Sequence, residues 1–136
     1  MIHEEICTYE VAKLAKEKGF NVPTDRYYHI YDDVIEAQNS LEMTSDGCAD
    51  FYNSLNRCRC AAPTHSLLQR WLREKKNIHI EIVATASGYF WIADKVNGTA
   101  ITDSDVLDRG TNEGGCFDTY ELALEDGLAY SLRNLI

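Results

Sequence analysis

The chain has 136 residues, a hydrophobic fraction of 45% and a formal net charge of −9, and it contains eight Tyr, four Phe and two Trp. This length and composition suit a folded domain with its own core and exclude a wholly disordered chain. No apolar run approaches the roughly 20 residues that cross a bilayer, and the acidic balance disfavours nucleic acid and anionic membranes as partners. We therefore predict a single domain over residues 1–136.

The first predicted element is a helix from about Tyr9 to Lys18. Thr8 can cap its N-terminus, and Gly19 can adopt the left-handed conformation that ends many helices. Residues 26–31 are rich in aromatic side chains and are typical of a strand. Residues 32–62 show no sustained period, so we expect an irregular or mobile segment there, and such segments often carry function.

A second helix is predicted to begin near Pro63, because proline is favoured in a first helical turn. A strand follows over residues 78–85, where apolar and polar side chains alternate, and a turn at Ser87-Gly88 leads into a strand at 89–93. Asn97-Gly98 is the preferred pair for a tight hairpin, which predicts a third strand beyond it.

The last predicted elements are an acidic loop over residues 103–115 and a C-terminal helix that Asp118 or Thr119 can cap. The order of elements indicates an α+β fold. We expect an antiparallel sheet of about four strands with three helices packed mainly on one face.

Three stretches carry a family resemblance. Residues 62–78 (APTHSLLQRWLREKKNI) and 117–128 (FDTYELALEDGL), together with residues 4–20, resemble a family of small uncharacterised proteins of gut Bacteroidetes and their phages. The resemblance covers about half of the chain and implies a phage or mobile-element setting. It implies no activity and assigns no functional residues.

The cysteines suggest two kinds of chemistry. Without a secretory signal at the start, we expect a reducing cytoplasm and free thiols. A Cys-x-Cys pair suggests structural zinc but is tighter than the usual ligand spacing, so we predict neither a metal nor another cofactor. Cys116 precedes a helix, where the dipole can activate a thiol, but no spacing ties it to a catalytic base. The weak zinc candidates are Cys48, Cys58, Cys60 and His65.

Basic side chains are concentrated between residues 57 and 76, which hold six of the thirteen Lys and Arg residues. This concentration indicates an anion-binding or nucleic-acid patch. The alternative is that cations near a helix C-terminus offset the dipole and face solvent. These residues are Arg57, Arg59, Arg70, Arg73, Lys75 and Lys76.

Aromatic residues of the predicted strands form a second candidate surface. An exposed aromatic sheet face usually marks a partner surface, whereas the alternative is that the middle segment covers the rings. These residues are Tyr27, Tyr28, Tyr31, Tyr89 and Trp91.

Three functional hypotheses follow. We favour a non-enzymatic accessory protein of phage or mobile-element origin that binds an unknown protein partner, with a homodimer as a further possibility. The second hypothesis is a nucleic-acid-associated or metal-stabilised regulator that uses residues 57–76. The third is a cysteine-dependent enzyme.

Overall fold

The computed structural model describes residues 4–29, 41–43, 51–53, 58–97, 100–101, 108–110 and 116–136. Within these residues, three helices and antiparallel strands give an α+β fold, which confirms the predicted class. The chain divides into two compact units, Met1–Thr64 and His65–Ile136. The single domain over residues 1–136 stays a prediction.

Helix α1 (Tyr9–Glu17) is the first helix of the first unit. The predicted cap is present, because the Thr8 hydroxyl accepts a 3.4 Å hydrogen bond from the Val11 amide. The helix ends before Gly19, whose φ of 96° is the left-handed conformation that costs glycine least. Its buried residues are Tyr9, Val11, Ala12 and Ala15.

The sheet of the first unit has three antiparallel strands in the order β2-β1-β3. The central strand is β1 (Arg26–His29), and its neighbours are β2 (Leu41–Met43) and β3 (Arg59–Ala61). Both neighbours come from residues 32–62, so this segment is not irregular throughout. Strands of three residues are too short to show the alternation by which a strand is recognised in a sequence.

One face of this sheet meets helix α1. Tyr28 and Cys60 are register partners on β1 and β3. The Tyr28 hydroxyl also donates a 2.7 Å hydrogen bond to the Cys7 carbonyl, which pairs the buried phenol with an acceptor. The core cluster of this face is Tyr9, Ala12, Tyr28, Cys60 and Ala62.

The second unit has two further helices around a four-stranded antiparallel sheet. The described elements are α2 (His65–Lys75), β4 (Ile78–Thr85), β5 (Gly88–Asn97), β6 (Ala100–Ile101), β7 (Asp108–Gly110) and α3 (Tyr120–Asn134). Strand β5 is central and pairs with β4, β6 and β7. That the helices pack mainly on one face stays a prediction.

Both predicted strand connections are present in this sheet, but Gly88 and Asn97, which were expected in the turns, belong to strand β5. Thr85 is the register partner of Gly88, so two residues join β4 to β5. Asn97 is the partner of Ala100, and the two residues between them lie outside the described residues. The acidic segment 103–115, expected as a loop, supplies strand β7, and the rest of that segment also lies outside them.

The approach to helix α3 is tied to the start of β5. Tyr89 and Phe117 exchange two backbone hydrogen bonds of 2.9 and 2.7 Å. A Cβ on Gly88 would lie 2.4 Å from the Phe117 carbonyl oxygen, so glycine is required at this crossing. Two residues later the Thr119 hydroxyl caps α3 by accepting a 3.1 Å hydrogen bond from the Leu122 amide.

Helix α3 packs closely on the sheet because it carries a glycine at the contact. A Cβ on Gly127 would lie 3.0 Å from Cγ of Trp91 and 3.4 Å from Cγ2 of Ile80. The Trp91 indole N–H is satisfied by a 2.7 Å hydrogen bond to Asp126. No helix in the described residues is long and apolar enough to cross a membrane.

Candidate functional site

The second face of the three-stranded sheet carries a cluster that we call the Tyr27 platform, which consists of Tyr27, His29, Phe51 and Arg59. Tyr27 and His29 are two residues apart on β1, so they share the face opposite Tyr28. Arg59 is the register partner of His29 on β3, which brings it to the same face.

The rings and the guanidinium of the platform are in contact. The rings of Tyr27 and Phe51 are stacked, with centroids 4.8 Å apart and planes inclined by 20°. Cζ of Arg59 lies 5.1 Å from the centroid of the Tyr27 ring, within the range of a cation–π interaction. His29 meets the same ring edge to face at 5.7 Å. Tyr27 is thus the centre of the cluster.

Backbone contacts hold the platform in place. Phe51 is fixed next to β1 because Thr24 and Phe51 exchange two backbone hydrogen bonds of 2.9 Å. The Arg59 carbonyl accepts a 2.7 Å hydrogen bond from Nζ of Lys16, which joins β3 to helix α1. Because these ties fix the backbone, the side chains are presented with little ordering cost on binding.

The platform can be reached by a ligand. Tyr27, His29 and Arg59 are each partly exposed, whereas Phe51 is buried and forms the base. A guanidinium stacked on a ring still has N–H groups along its edge, and these suit a carboxylate. Tyrosine and arginine are also the residue types that most often dominate protein interfaces. The cluster therefore offers an aromatic ring and a cation side by side on a partly exposed sheet face.

The structure divides the predicted aromatic set between two sheets. Tyr27 and Tyr28 lie on β1, whereas Tyr89 and Trp91 lie on β5. Tyr28 is 7% exposed and Trp91 is 3% exposed, because the first packs under α1 and the second under α3. This corrects the expectation of an exposed aromatic face for those two residues. Tyr31 lies outside the described residues.

The predicted basic set is also divided. Arg59 belongs to the Tyr27 platform, and Arg57 lies outside the described residues. On helix α2, Arg70 donates a 2.9 Å hydrogen bond to exposed Glu74, and this bond holds the pKa of Glu74 below its usual value. The Lys76 ammonium lies 5.5 Å from the centroid of the Trp71 ring. Arg73 and Lys75 are exposed near the end of the helix.

The weak zinc candidates are differently placed. Cys58 is exposed, whereas Cys60 is fully buried. Burial raises the pKa of Cys60 to about 11, although Lys16 partly opposes this, so the protein favours a thiol where zinc requires a thiolate. Nε2 of His65 contacts the Glu125 carboxylate in the second unit. Cys48 lies outside the described residues.

Cys116, the candidate nucleophile, is partly buried beside the hairpin between β4 and β5. Its Sγ lies 3.5 Å from the Thr85 hydroxyl. Among the described residues, no hydrogen bond joins Cys116 to a histidine. The contact with a hydroxyl does not supply the base that a cysteine nucleophile needs.

A separate surface cavity of about 250 Å³ lies in the first unit. Its lining combines the carboxyls of Glu4 and Asp25 with the guanidinium of Arg26. Because this lining has both signs of charge, it suits neither a purely anionic nor a purely cationic ligand. The remaining lining residues are Ile6 and Thr64.

Two residues of the Tyr27 platform, His29 and Phe51, were not predicted as site residues. A signal for His29 was present, because residues two apart on a predicted strand share one face. Phe51 had no such signal, since its position depends on a backbone pairing with Thr24 far along the chain. Comparison of the chain with family models, with curated proteins and with solved structures found no match.

Proposed function

We propose that this chain is a non-enzymatic accessory protein of phage or mobile-element origin that binds a protein partner through the Tyr27 platform. The observation that carries this proposal is the contact of Tyr27 with both Phe51 and Arg59 on a partly exposed sheet face. The setting rests on the family resemblance of residues 4–20, 62–78 and 117–128.

The platform also favours a particular kind of partner segment. Arg59 provides a cation on a chain whose net charge is −9. A segment with a carboxylate for Arg59 and an apolar or aromatic side chain for Tyr27 matches both groups. Interface energy is usually concentrated in a few such residues, so the two should carry much of the affinity.

The nucleic-acid hypothesis receives less support. Arg70 is engaged with Glu74 and Lys76 with Trp71, and the overall charge is acidic. Phosphate binding normally requires a basic surface that releases counterions. A nucleic-acid-associated or metal-stabilised regulator therefore stays the second proposal, and a cysteine-dependent enzyme the third.

The test is affinity capture from cells of the host bacterium with quantitative mass spectrometry, followed by calorimetry on the captured partner. Tyr27→Ala and Arg59→Ala should each weaken binding by about tenfold or more, which is typical of interface hot spots. Arg59→Lys should also weaken it, because lysine keeps the charge but loses the planar stacking group.

Matched controls are available on exposed positions outside the platform. Tyr52→Ala and Arg73→Ala remove the same residue types from exposed positions and should leave affinity unchanged. Circular dichroism should verify that every variant is folded. If no captured protein distinguishes the platform variants from these controls, the proposal is wrong.

A further inference from the structure

The surface cavity of the first unit, which we call the Arg26 cavity, is formed by three segments of the chain. Its lining consists of Glu4 and Ile6 from the residues ahead of helix α1, Asp25 and Arg26 at the start of β1, and Thr64. The volume is about 250 Å³. At roughly 30 Å³ for each water molecule, this is room for about eight non-hydrogen atoms, so a ligand of this cavity must be small.

Backbone hydrogen bonds hold the walls of the Arg26 cavity together. The Cys7 amide donates a 2.9 Å hydrogen bond to the Pro63 carbonyl. The Arg26 carbonyl accepts a 2.9 Å hydrogen bond from the Ala62 amide and a 2.7 Å hydrogen bond from the Thr24 hydroxyl. The three segments are thus joined before a ligand arrives, which lowers the ordering cost of binding.

Two opposite charges in the cavity are not paired within the described part of the chain. The Asp25 carboxylate and the Arg26 guanidinium form no hydrogen bond or ion pair with any described residue, including each other. Both residues are only partly exposed. Because a partly buried charge is stabilised by a counter-charge, the two groups together favour a ligand that has both an anionic and a cationic group.

The same charges disfavour the simpler classes of ligand. A purely anionic ligand would bind Arg26 but would be repelled by the carboxylates of Glu4 and Asp25, and a metal cation would be repelled by the guanidinium. An uncharged ligand would displace water from both signs of charge without replacing it by a counter-charge. A small zwitterion satisfies both signs, since its ammonium and carboxylate can meet two consecutive residues.

We propose that the Arg26 cavity binds a free α-amino acid with a small apolar side chain. The Arg26 guanidinium binds the α-carboxylate through two parallel N–H donors. Asp25 accepts hydrogen bonds from the α-ammonium, exposed Glu4 adds a second negative charge, and Ile6 provides apolar surface for the ligand side chain. The inference does not rest on the Tyr27 platform, because Arg26 and Tyr27 are consecutive on β1 and therefore lie on opposite faces of the sheet.

Isothermal titration calorimetry of the full chain with L-alanine, L-valine and L-leucine tests the proposal. We expect saturable binding of at least one of these amino acids. The one that binds is then compared with its N-acetyl derivative, which lacks the positive charge, and with its amide, which lacks the negative charge. Each derivative should bind about tenfold more weakly or worse, because one charge-assisted contact is lost.

Two variants test the assigned residues. Arg26→Gln and Asp25→Asn should each weaken binding of the amino acid by about tenfold or more. The matched controls, Arg73→Gln and Asp118→Asn, remove the same charges at exposed positions outside the cavity and should leave the affinity unchanged. Circular dichroism verifies that the variants are folded, and the comparison of derivatives uses the unaltered protein.

Three results would overturn the proposal. The first is the absence of saturable binding of all three amino acids at concentrations up to about 10 mM. The second is an N-acetyl or amide derivative that binds as tightly as the free amino acid, which would indicate the end of a peptide chain as the ligand. The third is full affinity in folded Arg26→Gln or Asp25→Asn.

Discussion

Asn53 donates a 2.7 Å hydrogen bond from its side-chain Nδ2 to the carbonyl of Phe20, 33 residues earlier in the chain. The Oδ1 atom of the same side chain accepts a 2.7 Å hydrogen bond from the Ala61 amide. Asn53 is buried, so one amide satisfies two backbone groups that water would otherwise have to reach. It links the chain after α1 to strand β3.

Replacing Asn53 by alanine should lower the free energy of unfolding by about 3 kcal/mol, because two buried backbone groups lose their partners. Urea unfolding followed by circular dichroism measures this change. Asn134→Ala, at an exposed position near the end of α3, should change stability by less than about 0.5 kcal/mol. Equal effects at the two positions would contradict the role assigned to Asn53.

Gly127→Ala should destabilise the protein although alanine is the better helix former. The gain in helix propensity is about 1 kcal/mol, whereas crowding of a packed contact costs roughly 1–3 kcal/mol. Gly127→Val should cost more and should change the near-ultraviolet circular dichroism of Trp91, since the new atoms meet that ring.

Gly19→Ala separates crowding from backbone strain. A Cβ there meets no atom within 4 Å, and only the positive φ opposes it. We expect a loss of about 1–2 kcal/mol without any change in the tryptophan spectrum. For Gly127→Val, by contrast, an unaltered tryptophan spectrum would contradict the close contact between Gly127 and Trp91.

Stability should depend on alkaline pH through Cys60. Its pKa is raised from 9.0 in the unfolded chain to about 11 by burial, so the folded state retains the proton more strongly. The thiol's contribution is therefore complete below about pH 9 and is lost as the pH rises towards 11. The two-unit difference corresponds to about 2–3 kcal/mol.

The measurement compares the unfolding free energies of the natural protein and Cys60→Ala at several values between pH 8 and pH 11. The difference in unfolding free energy between the natural protein and Cys60→Ala should shrink by about 2–3 kcal/mol as the pH rises. Cys58→Ala is the matched variant for the loss of a thiol at an exposed position. A constant difference for Cys60→Ala would show that its thiol is not protected by burial.

Thr119→Ala should lower the unfolding free energy by about 1 kcal/mol, because the first turn of α3 loses the acceptor for the Leu122 amide. Thr119→Ser keeps the hydroxyl and should retain most of the stability. Thermal denaturation of the two variants measures the contribution of the hydroxyl. If Thr119→Ala and Thr119→Ser have equal melting temperatures, the hydroxyl does not contribute to stability.

The elements that the sequence predicted are those with a local signal. Helix α1 had a cap at Thr8 and a stop at Gly19, and strand β4 had four alternating apolar positions. Strands β2 and β3 were missed because each is three residues long and is defined by pairing with distant β1. A local sequence pattern does not show which distant residues pair in a sheet.

The candidate site was predicted in parts and not as a whole. Tyr27 and Arg59 were each singled out, the first in an aromatic set and the second in a basic set. Their contact depends on the pairing of β1 with β3, which joins residues about thirty positions apart. Composition identified the chemistry of each side chain, and the long-range pairing determined which side chains meet.

The double hydrogen bond between Tyr89 and Phe117 has an evolutionary consequence. It closes the chain on itself ahead of α3, so the start of that helix is set by this bond and not by the length of chain between the two residues. Changes in chain length between Tyr89 and Phe117 that leave these two residues paired should therefore leave the start of α3 in place. Gly88 should not vary among relatives, because a Cβ there would meet the Phe117 carbonyl oxygen.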